Sequence, residues 1–113
     1  MLDPNLPSLF VTYGPNTTLG GASIMYRLEA SARHMRQAID RLTAGKFKTV
    51  EVTEADDAAY DREIQDLLDV SVWSHCENWY RHPSGRITSN WPGATLPFAR
   101  RTKVLDPHAF SWA

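Results

Sequence analysis

Leu9-Phe10-Val11-Thr12-Tyr13-Gly14-Pro15-Asn16-Thr17-Thr18-Leu19-Gly20-Gly21-Ala22-Ser23 is the stretch on which the reading of this chain turns. Its first five residues are apolar, β-branched or aromatic and stop at Gly-Pro, the pattern of a buried strand running into a turn. The small and polar residues from Gly14 to Ser23 let the backbone bend and approach another group closely. Beyond them Ile24, Leu28, Ala32, Met35, Ile39 and Leu42 recur at steps of three or four. That spacing predicts a long helix over 22–44 with one apolar stripe, and Gly45 stands where a left-handed helix end is favoured. A strand, a Gly-Pro turn and a helix start together aim free backbone N–H groups and a positive dipole end at one spot, which suits an electron-rich ligand. The same glycines also suit close packing of strand on helix, and the residues alone leave both readings open.

Downstream, Phe47 to Val52 alternates as a short strand, and Thr53-Glu54-Ala55-Asp56 has the form of a capping box opening a second helix over 54–70. Tyr60, Ile64, Leu67, Leu68 and Ser71 follow helical spacing, with acidic residues in the first turn as the dipole prefers. Asn78–Arg81 and Arg86–Thr88 flank His82-Pro83-Ser84-Gly85, which predicts a β-hairpin around a type I turn. Pro92, Gly93, Pro97 and Pro107 interrupt the last quarter of the chain, so an irregular tail is expected, pinned to another surface by Trp91, Phe98, Phe110 and Trp112.

At 113 residues the chain is at most one ordinary domain. Its 42% hydrophobic and 22% charged residues lie in the globular range. Twelve basic against thirteen acidic side chains leave a formal charge of -1, without the attraction that non-specific nucleic-acid binding needs. Arg100, Arg101 and Lys103 read as a solvated cluster. The lone Cys76 gives no disulfide framework and points to a reducing compartment, the cytoplasm by default. No apolar run reaches the ~20 residues of a membrane span, and the first residues lack the features of a signal peptide. His34, His75, His82, His108 and Cys76 do not have zinc-site spacing, so no metal site is expected. No side chain stands out as catalytic. The glycines at 14, 20, 21, 45, 85 and 93 nowhere form a dinucleotide-binding fingerprint.

Pro4-Asn5-Leu6-Pro7 followed by Ser8 to Gly20 resembles a stretch late in Baeyer-Villiger and related flavin-containing monooxygenases. The likeness continues through Ser23-Ile24, Glu29-Ala30-Ser31-Ala32-Arg33, Asn78-Trp79-Tyr80, Gly85-Arg86-Ile87-Thr88, Asn90-Trp91-Pro92-Gly93 and Arg100-Arg101-Thr102, and covers nearly the whole chain. Each piece is weak; their order and spacing are specific. The resemblance implies an α+β fragment of a flavoprotein with two Rossmann-like dinucleotide-binding domains, using FAD and NADPH to insert one oxygen atom from O2 into a ketone or heteroatom of a small organic substrate. It assigns residues 1–45 to the last strand and C-terminal helix of the FAD-binding domain. Residues 46–113 become an extension beside the NADP and substrate cavity. Gly14, Pro15, Asn16 and Thr17, with the helix start at Ala22 and Ser23, are expected to face the flavin. Trp79 would wall the nicotinamide and substrate side or donate one hydrogen bond there, and a core-packing role for this Trp is the alternative. Relatives with the motif commonly carry His or another polar residue where Gly21 stands, and the glycine fingerprints fall outside this sequence. The expected partner is therefore the N-terminal portion of the monooxygenase, with further copies of the chain possible, and no oxidation is expected from the chain alone. The competing expectation is a non-catalytic α+β interaction module.

Overall fold

The computed structural model describes residues 3–18, 23–75 and 77–113. Helix α1 spans Ile24–Gly45, strand β1 Val50–Val52, helix α2 Glu54–Asp69, helix α3 Thr95–Arg101 and strand β2 Phe110–Trp112. Single 3-10 turns at Val72–Ser74 and Pro107–Ala109 punctuate the second half. Among the described residues the architecture is a small α+β arrangement of three α-helices and a two-stranded antiparallel sheet, with Val50 opposite Trp112, Glu51 opposite Ser111 and Val52 opposite Phe110. Among the described residues no helix is long and apolar enough to cross a membrane.

Both long helices lie where their periodicity puts them. Helix α2 begins as expected at Thr53, whose hydroxyl accepts from the Asp56 N–H at 3.2 Å. The reciprocal half of the capping box differs. The Asp56 carboxylate accepts a hydrogen bond from the Thr53 hydroxyl, and the Thr53 N–H donates to the Ala109 carbonyl at 3.0 Å, which ties the helix start to the tail. At the other helix's end the left-handed residue is Lys46, with φ 55°, rather than Gly45. Gly45 answers a different need, since a Cβ there would run into the Phe47 ring.

Three expectations change. Leu9–Tyr13 is not a buried strand: Ser8 and Tyr13 take left-handed backbone at φ 58° and 54°, the chain turns at 12–13, and Leu9, Val11 and Tyr13 are exposed. A strand needs a neighbour, and the two-stranded sheet reaches this part of the chain at Ser8, whose N–H donates to the Val50 carbonyl at 2.8 Å and whose hydroxyl accepts from the Val50 N–H at 3.2 Å. The hairpin is present but short, its arms joined by one bridge and the bonds beside it. His82 N–H bonds Arg86 O at 2.8 Å, Gly85 takes φ 88°, and Arg81 and Ile87 form a single antiparallel bridge. The tail, finally, is not irregular. Pro97 falls in the first turn of α3, where its missing N–H costs nothing, and β2 completes the sheet. Its aromatic residues are pinned as expected, but within the chain: Trp112 donates to Pro107 O at 2.9 Å and packs on Phe47 and Phe110.

The core draws on both halves of the sequence. Ala30 of α1, Ile64 and Leu68 of α2, Ile87, Trp91 and Phe98 of α3 form one buried cluster. Residues 1–45 and 46–113 therefore share a hydrophobic core within this chain.

Candidate functional site

The two motifs that lie farthest apart in sequence are laced together. Asn16 N–H bonds Thr88 O at 2.9 Å, Thr18 N–H bonds Ser89 O at 2.9 Å, and Trp91 N–H returns to Thr18 O at 2.9 Å, so Thr18 and Asn90 form a parallel bridge. The Asn16 side-chain amide donates to Ile87 O at 2.9 Å and Asn90 O at 3.1 Å. Asn16 sits at φ 54°, a left-handed conformation that asparagine tolerates better than most residues. Thr17 donates to Gly14 O and closes the turn.

These bonds define what the loop can offer. Asn16 and Thr17 are buried and their side-chain donors are engaged within the chain. Pro15 is exposed and Gly14 half-buried, so the loop presents Gly14 and Pro15 to any ligand, on a backbone held rigid from behind. Ser23 is exposed and precedes α1 in extended backbone without a side-chain capping bond. Ala22, with Leu19, Gly20 and Gly21, lies outside the described residues.

Arg27, one turn into α1, joins the loop to the helix. Its guanidinium donates to Thr17 O, lies 4.1 Å from the Phe98 ring centroid and 5.2 Å from that of Trp91, and the residue is only 1% exposed. Nε and one terminal nitrogen have no hydrogen-bond partner among the described residues. Loss of solvent lowers its pKa to about 10, with Tyr13 and Tyr60 acting in the opposite sense, so it remains a cation at neutral pH. The two ring faces supply cation–π stabilisation in place of water. Arg27 was not among the residues singled out from sequence, because it lies off the apolar stripe. The available signal was its spacing with Ala30, Ser31 and Ala38, small residues on one helical face that admit close packing.

Trp79 is 78% exposed, its ring 4.1 Å from that of Tyr80. This chain does not bury it in a core. It is linked to the loop indirectly, since Tyr80 O accepts from Thr88 N–H and Thr88 O from Asn16 N–H. A separate open groove of about 420 Å³ runs between the end of α2 and the start of α3, lined by Leu67, Val70, Trp91 and Pro92. The Glu63–Arg101 ion pair, bidentate at 2.6 and 2.8 Å, borders it. Among the described residues no group of three His, Cys, Asp or Glu is placed to hold a metal ion.

No protein-family model matches the chain. Over 107 residues it is 36% identical to a Baeyer-Villiger monooxygenase of Pseudomonas aeruginosa, a match covering 92% of this chain and 20% of that protein. It is 29% identical over 103 residues to a Baeyer-Villiger monooxygenase of Streptomyces coelicolor, covering 88% of the chain and 20% of the relative. With an FAD-binding monooxygenase of Aspergillus niger the identity is 28% over 107 residues, covering 89% and 18%. The chain thus spans about one fifth of the length of these curated relatives. By sequence it is a homologue of Baeyer-Villiger and FAD-binding monooxygenases over that one segment of them.

Proposed function

We propose that this chain is the C-terminal part of an FAD- and NADPH-dependent monooxygenase, which closes one side of the flavin site and walls the substrate cavity but does not oxidise anything alone. Bound FAD would supply the activation of O2 that inserts one oxygen atom into a ketone or heteroatom of a small organic substrate. Residues 1–45 belong on this reading with the FAD-binding domain and 46–113 with the NADP and substrate side, in a cytoplasmic enzyme. Gly14, Pro15, Asn16 and Thr17 are the flavin-side loop, Gly14 and Pro15 by contact and the buried pair by holding the loop's shape. The start of α1 after Ser23, which lacks a side-chain capping bond, offers backbone N–H groups and a positive dipole end to the electron-rich edge of the ring, and Ala22, outside the described residues, is assigned to the same side by the resemblance alone. Trp79 stands on the nicotinamide and substrate side, where an exposed indole has both a face and an N–H to offer.

The observation that carries this reading is the lacing of residues 16–18 onto 87–91: it holds rigid a Gly-Pro turn that presents its outer backbone and does little else for the chain. Replacing the matching fifth of the Pseudomonas aeruginosa relative with this chain tests it. The expected product is a yellow protein with bound FAD that consumes NADPH when given substrate. A folded, colourless product would refute the flavin assignment. The core shared between both halves supports a second reading, a self-contained α+β interaction module. Its mark would be cooperative melting of the isolated chain, with no flavin bound by either the chain or the swapped protein.

A further inference from the structure

Taking a cation out of water is costly unless partners replace the hydration it loses. Arg27 is 1% exposed, and its guanidinium makes one hydrogen bond, to the Thr17 carbonyl. Nε and one terminal nitrogen are buried with no hydrogen-bond partner among the described residues. The ion pairs among these residues join Glu29, Asp40, Asp61 and Glu63 to other arginines, and none reaches Arg27. The groups whose fields favour its charge are the phenols of Tyr13 and Tyr60, which are neutral at pH 7. What this chain sets against the charge is the pair of rings, Phe98 and Trp91. A methionine would fill the space between those rings without the cost of desolvation. Packing within the chain therefore accounts for the length of this side chain and leaves its charge unexplained.

The charge stands behind the Gly14–Thr17 loop. Two hydrogen bonds, from Arg27 to Thr17 O and from the Thr17 hydroxyl to Gly14 O, lead from the guanidinium to the outer turn, where Pro15 is exposed. Dissolved ions cannot approach a buried guanidinium, so its field reaches the outer side of the loop with little screening. We propose that Arg27 is a positioning residue of the flavin site: it holds the loop through the Thr17 carbonyl and keeps an unpaired positive charge behind it, which favours the electron-rich, reduced state of a flavin on the outer side. The inference rests on the proposed function for the presence of the flavin there, and adds a residue off the loop that sets how readily that flavin takes electrons. The dipole of α1 acts in the same sense with a partial charge that begins at the exposed Ser23. Arg27 supplies a whole charge, and in a dry place.

The test uses the Pseudomonas aeruginosa relative with its matching fifth replaced by this chain. Arg27→Met removes the charge at similar length, Arg27→Lys keeps it, and Arg36→Met removes an exposed charge of the same helix, one paired with Asp40. The midpoint potential of the bound flavin, read against a redox dye, is expected to shift to more negative values in Arg27→Met. In Arg27→Lys and Arg36→Met it is expected to stay at the parent's value. Release of FAD by Arg27→Met alone would carry the same conclusion through affinity. An unchanged potential in Arg27→Met would overturn the inference. So would equal behaviour of Arg27→Met and Arg27→Lys, which a purely structural role requires, or an equal shift in Arg36→Met. In the isolated chain Arg27→Met is expected to melt within a few degrees of the parent, the lost Thr17 bond being offset by the desolvation no longer incurred. A larger loss would assign the guanidinium to the chain's own packing and overturn the inference as well. A colourless unsubstituted swap refutes the flavin reading and this inference with it, whereas a yellow swap whose potential ignores Arg27 refutes this inference alone.

Discussion

Along α2 the residues enclosed by the fold, Ile64 and Leu68, are among those its apolar periodicity picks out, although Leu67 is 47% exposed. Along α1 they are Arg27, Ala30, Ser31 and Ala38, while in the periodic apolar stripe Leu28, Met35 and Leu42 are half-buried and Ile24, Ala32 and Ile39 exposed. Both helices were equally legible as helices. The difference lies in what each packs against. Helix α2 finds its partners, Ile87, Trp91 and Phe98, inside this chain. Helix α1 uses small residues to come close to those same elements, and its larger apolar side chains lie at the side of that contact, half-buried or exposed. An apolar stripe therefore predicts a helix without fixing which of its sides the fold encloses.

The largest effect that would test this contrast is expected from Ile64→Ala, which should cost about 2–5 kcal/mol in urea denaturation because it opens a cavity in the shared core. A cost under ~1 kcal/mol would mean that α2 is no better packed than α1. Asn16→Leu comes next, at about 2–4 kcal/mol: it removes the donor to the Asn90 carbonyl and one of the two donors to the Ile87 carbonyl, which keeps the Gln65 amide, and puts a bulkier side chain at a left-handed position. Its measure is the shift of the denaturation midpoint. Thr53→Ala should lose about 1 kcal/mol by removing the cap of α2. A smaller, pH-dependent effect is expected at His34, whose ring nitrogen pairs with Thr102 O at 3.0 Å. Burial lowers its pKa from the usual 6.5, a change the Thr102 hydrogen bond partly opposes. The unfolded chain then binds the proton more readily, so stability is highest above about pH 6.5 and falls as the pH drops through that value towards the folded pKa. Melting curves between pH 7.5 and about 5 should show this slope in the parent and lose it in His34→Gln. The smallest effect is assigned to Ile39→Ala at an exposed position of the α1 stripe, within about 0.5 kcal/mol of the parent. A loss as large as that of Ile64→Ala would erase the distinction between the two helices.

What could be read without the fold was local. The lengths of α1 and α2, the Thr53 cap, the turn at His82–Gly85 and the first residues of the Gly-Pro loop all follow from contacts between residues a few positions apart, and periodicity and turn chemistry report those directly. The ancestry was also legible, because it resides in the order and spacing of short motifs. The helix around Pro97 was within reach too, since proline is at home in a first turn, but the density of prolines nearby argued the other way.

The amino-acid sequence by itself determined the two long helices, the Thr53 cap where α2 starts and which monooxygenases the chain is related to, but not the short helix α3. Only the tertiary structure decided that Leu9–Tyr13 has no strand beside it, that Arg27 rather than the apolar stripe is the enclosed side of α1, and that residues 16–18 and 87–91 meet. The physical reason is separation along the chain. A cap or a helical period is settled within one turn, whereas pairing, burial and the direction a face points depend on residues tens of positions away.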